Sequence, residues 1–118
     1  MSGKQATIEK RKLSVDRAAN IVVGALSRRY GISPENFNVD RASNEEENER
    51  NIYINVGASG RSEWHQLVRV VEMSNKGGPS VQVFVRFDEF RRAGLEKANY
   101  DTTFLKWLLS TELMTNVS

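Results

Sequence analysis

Cysteine is absent from this chain. That single absence removes disulfides, thiolate zinc sites, iron–sulfur clusters and cysteine nucleophiles together. Histidine is nearly absent as well, with His65 as its one occurrence in 118 residues. A metal site built on it would lack a second imidazole or thiolate ligand, so His65 reads as a half-exposed strand residue rather than a general base. Long apolar runs are also missing. In the N-terminal half the longest is Ile21–Val23, far short of the ~20 residues a membrane span needs. The first twenty residues are polar and hold no apolar stretch of the kind a secretory signal requires. A cytoplasmic setting without membrane contact is the expectation.

Catalytic and nucleotide-cradling motifs are equally scarce. Gly57 and Gly60 precede a strand-like run rather than a helix, which excludes a dinucleotide turn at a helix N-terminus. Lys76-Gly77-Gly78 lacks the lysine–hydroxyl order of a phosphate loop and also leads into a strand. The acidic run Glu45-Glu46-Glu47-Asn48-Glu49 has neither the alternating ligand positions nor the central glycine of a calcium loop. The expectation is a non-catalytic chain with no metal and no cofactor.

What the chain does contain is an uneven charge. Residues 1–30 carry seven basic and two acidic side chains, a balance of +5, whereas residues 31–60 carry two basic and six acidic, a balance of −4. The basic excess lies in the N-terminal tail and in the first helix. Residues 1–12, with Lys4, Lys10, Arg11 and Lys12, read as a flexible basic arm, and residues 13–118 as one α+β domain of a size that can bury a single core.

Within that domain the periodicities are clear. Ser14 is positioned as an N-cap, Asp16 stands in the first turn, Arg28 and Arg29 in the last, and Gly31 follows as the C-terminal stop. Between them Val15, Ala18, Ala19, Val22, Val23, Ala25, Leu26 and Tyr30 form one helical stripe. Ser33-Pro34-Glu35-Asn36 predicts a short helical turn, and the alternation of Phe37, Val39 and Arg41 is compatible with a brief edge strand. Residues 43–50 contain no apolar side chain and read as a solvated loop.

Three strand-like runs follow, Asn51–Val56, Trp64–Met73 and Val81–Phe87, joined by Gly/Ser-rich turns too short for a parallel crossover. The middle run puts apolar groups at Leu67, Val68, Val70 and Val71, which predicts either cover on both faces or a bulge. Asp88 can cap a helix through Phe90, Leu95 and Ala98, and Asp101 or Thr102 can cap a last helix to about Met114. The expected fold is therefore an N-terminal helix, an antiparallel meander of three or four strands, and one or two C-terminal helices on the sheet.

This order of helix, three strands and helix is similar to that of double-stranded-RNA-binding domains. Where that family carries a lysine cluster, this chain reads Asn99-Tyr100-Asp101-Thr102-Thr103, so the likeness extends to element order alone.

The chemistry that remains is recognition. Tyr53, Phe84 and Arg86 lie on the non-core parity of their strands and can converge. Arg69 and His65 join them if Val68 and Val70 point inward. Aromatic rings on a sheet stack bases, and arginines hold phosphate. With Lys4, Lys10, Arg11, Lys12, Arg17 and Arg28 adding charge attraction, the chain is expected to bind nucleic acid. The alternative is a protein-interaction module, such as an adaptor, an inhibitor or a subunit of a larger or viral assembly. It would use a sheet edge or the broad apolar arc of the last helix, with Phe104, Trp107 and Leu108 in contact. Homo-oligomerisation fits either reading.

Overall fold

The computed structural model of the chain describes residues 5–44, 49–57, 64–75, 78–96 and 102–115. Its class is α+β, as the periodicities predict. The elements in order are strand β1 (Gln5–Arg11), helix α1 (Val15–Tyr30), a 3₁₀ turn (Pro34–Asn36) and strand β2 (Phe37–Asn44). Strands β3 (Glu49–Gly57), β4 (Trp64–Asn75) and β5 (Gly78–Arg86) follow, and then helices α2 (Phe87–Arg92) and α3 (Thr102–Thr115).

The sheet has five strands in the order β1-β5-β4-β3-β2, every neighbouring pair antiparallel. Two of the five were not expected at full length. Residues 5–11 are not an arm: they pair along β5 from Gln5 opposite Arg86 to Arg11 opposite Ser80. Lys4 lies outside the described residues. The physical reason is that β5 would otherwise be a bare edge, and Ile8 opposite Val83 supplies the apolar contact that holds β1 there. The expected loop at 43–50 is also shorter, because Ser43 pairs with Arg50 and Asn44 with Glu49 in the β2–β3 hairpin. A strand ahead of the helix and a fourth after it set this element order apart from that of double-stranded-RNA-binding domains.

Helix α1 forms where its caps place it. Ser14 Oγ accepts the Arg17 amide at 3.3 Å, and Gly31 takes the left-handed φ of 65° that closes the helix. Lys12 turns the chain out of β1 with φ 59° and delivers Leu13 into the core. Glu72 of β4 reaches the same helix end, its Oε1 accepting the Val15 amide at 2.9 Å in a buried site. A buried carboxylate is costly without such a donor, and a helix N-terminus is electrostatically suited to it.

The main core cluster lies on one side of the sheet. Ile52, Ile54 and Val56 of β3, Val68 and Val70 of β4, and Val81, Val83 and Val85 of β5 are buried with Ala18, Val22 and Leu26 of α1, Phe87 and Phe90 of α2, and Leu105, Leu109 and Leu113 of α3. Full burial of one such aliphatic side chain is worth about 1.5–3 kcal/mol. The C-terminal end of α1 is tied to the segment after α2 through Glu96, whose Oε1 accepts from Arg29 Nη2 and from the Tyr30 hydroxyl, each at 2.8 Å. Burial raises the Tyr30 phenol above its ordinary range, and the bond to Glu96 acts in the same direction. Helix α2 is shorter than expected, ending at Arg92 rather than continuing to Ala98. No described helix is long and apolar enough to cross a membrane.

Candidate functional site

The opposite side of the sheet packs against none of the described helices. Its side chains are the alternate residues of the same strands, and the antiparallel register sets them in rows. One row runs Thr7, Phe84, Arg69, Tyr53 and Asp40 across all five strands. None of these five belongs to the buried core cluster.

Arg69 is the centre of that row. Its guanidinium carbon stands 5.8 Å from the Tyr53 ring centroid and 5.7 Å from that of Phe84, within cation–π range of both. Its Nε and Nη2 donate to Asn51 Oδ1 at 3.0 and 2.9 Å. That fork fixes the head of a side chain that would otherwise lose considerable rotamer freedom on binding a ligand. Arg86 is exposed, and its Nη1 donates to Gln66 Oε1 at 2.9 Å. Gln66, Arg69, Phe84 and Arg86 line an open depression of about 290 Å³. Acidic groups sit on the outer strands, Asp40 on β2 and Glu9 on β1. Asp40 is engaged by Asn55 Nδ2 at 3.2 Å.

A bulge decides which β4 side chains belong to this face. Ile54 pairs with Val68 and Asn55 with Gln66, leaving Leu67 without a partner. Leu67 joins the core together with Val68, which accounts for that apolar pair, whereas Val71 keeps the parity of Arg69 and is buried between Asn51 and Gln82. Below the bulge the alternation is inverted. His65 therefore does not join Arg69: it pairs with Val56 on the helix side, with Nδ1 3.4 Å from Glu89 Oε2 of α2. Gln66 and Trp64 take the open face instead. Trp64 lies across Gly57, where an added Cβ would stand 3.0 Å from the indole ring, so glycine is what admits the ring there. Half of Trp64 remains exposed.

The residues expected to bind nucleic acid thus divide. Tyr53, Arg69, Phe84 and Arg86 are brought together. Arg17 and Arg28 are exposed on α1, across the sheet from them, and Arg28 Nη2 is bonded to Glu112 Oε2 at 2.8 Å. Lys10 stands opposite Val81 on the helix-side parity, Arg11 ends β1 opposite Ser80, and Lys12 is exposed in the turn that follows. Gln66 and Asn51 were not singled out from the sequence. The signal for Gln66 was the double apolar pair Leu67-Val68, had the bulge been placed there.

Helix α3 carries the other expected contact set. Leu105, Leu109 and Leu113 face the core, whereas Phe104, Trp107 and Met114 are 42, 58 and 67% exposed and Leu108 is half-buried. The Phe104 and Trp107 rings are 5.8 Å apart, and Arg29 caps Phe104 with its guanidinium carbon 4.6 Å from the ring centroid. Among the described residues no three acidic or histidine side chains gather in a way that could hold a metal ion. Comparison of the chain with protein-family models, with curated proteins and with solved structures found no match in any of the three.

Proposed function

We propose that this chain is a non-catalytic module that binds single-stranded nucleic acid on the uncovered face of its sheet. The observation that carries the reading is the Tyr53–Arg69–Phe84 row, two rings flanking a fixed cation on the three central strands. Stacking needs bases that are out of a duplex, so a flat aromatic face of this kind suits single strands over paired ones. Arg69 and Arg86 supply cations on this face. With so few of them, the dependence on salt is shallow: at most two phosphate contacts give a slope no steeper than roughly −1.4 in log K against log salt for a single strand.

Fluorescence anisotropy with labelled single-stranded RNA, single-stranded DNA and a matched duplex at ~50 mM salt tests this. Single strands should bind more tightly than the duplex. Tyr53→Ala and Phe84→Ala should each weaken binding by roughly 5- to 150-fold, the range for loss of one base stack. Absence of binding to all three probes, or duplex binding that both variants leave intact, would overturn the reading.

A second reading, a protein-contact module, is favoured by the outer stripe of α3. The spacing of Phe104, Trp107, Thr111 and Met114 is the same read from either end. An antiparallel pairing with a second copy of the chain would therefore set Phe104 against Met114 and bulky Trp107 against small Thr111, an isologous contact. Sedimentation at rising concentration tests it: a dimer that Trp107→Lys abolishes is the supporting result, and a monomer throughout sinks it.

A further inference from the structure

The depression of Gln66, Arg69, Phe84 and Arg86 has a one-sided hydrogen-bonding character. Gln66 Oε1 is taken by Arg86 Nη1, which leaves the amide NH₂ as the free end of that side chain. Among the described residues, Arg69 uses Nε and Nη2 on Asn51 and keeps Nη1, and Arg86 keeps Nη2 and Nε. Guanidinium groups carry no acceptor, so the polar side chains lining the site offer mostly N–H groups, with one carbonyl that already accepts from Arg86. Phe84 contributes an apolar wall.

We infer that this depression is a guanine subsite within the bound strand, an inference that rests on the single-strand-binding reading above. A ligand that fits must lay a π-face on Phe84 and turn adjacent acceptors toward the arginines. Guanine does both, with O6 and N7 side by side, the edge that arginine reads in duplex DNA by a bidentate contact. Adenine puts its N6 amino donor where the site needs an acceptor, and donor against donor leaves both groups desolvated and unpaired on binding. Cytosine offers acceptors on its Watson–Crick edge but overlaps the Phe84 ring with one ring instead of two. A backbone phosphate would satisfy the donors, yet it would set an anion against the electron-rich face of Phe84. The hydrogen bond from Arg86 Nη1 to Gln66 Oε1 holds the amide in the orientation that this discrimination requires.

The test is anisotropy on labelled oligouridylates with one central position changed to guanosine, adenosine, cytidine or an abasic unit. The guanosine probe should bind about tenfold more tightly than the adenosine and abasic probes, within the range for one bidentate base contact. Arg86→Lys, which keeps the charge and loses the planar donor pair, should level the guanosine and adenosine affinities. Equal affinities across the probes, a preference for cytidine, or a guanosine preference that survives Arg86→Lys would each overturn the subsite while leaving the single-strand reading standing. Failure of every oligonucleotide to bind would overturn both.

Discussion

The two faces of this sheet are built from the same strands one residue apart, and they behave as different materials. On the helix side, Ile54, Val68, Val83 and Val85 are sealed under α1, α2 and α3. On the other side, Tyr53, Arg69 and Phe84 stand in the neighbouring row without a described helix above them. Shape complementarity holds the first face, where a lost methylene is felt throughout a close-packed interior. Directed contacts hold the second: an arginine fork on Asn51, cation–π pairs, and a glutamine locked by Arg86. The lesson is that stability and recognition are separable here by parity, so a substitution can be aimed at one with little effect on the other.

The largest effect should come from Phe90→Ala, which empties a fully buried ring position beneath the sheet. A loss of about 3–5 kcal/mol of unfolding free energy is expected in urea denaturation. Phe84→Ala, the same change on the other face, should cost under ~1 kcal/mol, the scale of a cross-strand pair. Comparable losses for the two phenylalanines would break the division between the faces.

A smaller effect is expected at Glu72, a polar group on the core side. Glu72→Ala leaves the Val15 amide without its buried acceptor and should cost about 1–3 kcal/mol. An unchanged denaturation midpoint would mean that water or another group replaces the carboxylate. The smallest effect concerns pH. The Tyr30 phenol is raised in the folded chain, so the folded state favours the protonated form. The stability it contributes is complete below the unfolded value of about 10 and is lost as pH rises above it. Denaturation midpoints should therefore fall on the alkaline side of pH ~10, and Tyr30→Phe should flatten that fall. Parallel curves for the two proteins would remove Tyr30 from the account.

Much of this architecture was legible because its signals are local. Ser14 and Gly31 bracket α1, and Leu105, Leu109 and Leu113 repeat at helical spacing in α3. The alternation in 52–56 and 81–85 predicted strands with one apolar face. Residues 5–11 were not legible as a strand because they hold little apolar alternation of their own. Their conformation comes from the free edge of β5, 69 to 81 residues away in sequence, and strand propensity is set largely by such neighbours. The candidate site was half legible for the same reason. Tyr53, Phe84 and Arg86 follow from parity within regular strands. The exchange of His65 for Gln66 turns on the register of β4 against β3, which the local pair Leu67-Val68 signals but does not place.

The sequence by itself determined which strands have a greasy side, where α1 begins and ends, and which chemistries lack their residues. Those properties depend on side-chain type and short-range spacing. Tertiary structure alone decided that the three helices share one face of the sheet, that β1 closes its edge, and that Leu67 is squeezed out of the ladder. Each of these is a competition between distant segments for the same buried surface and the same unpaired backbone groups. Their outcome leaves the Tyr53–Arg69–Phe84 row without cover from any described helix.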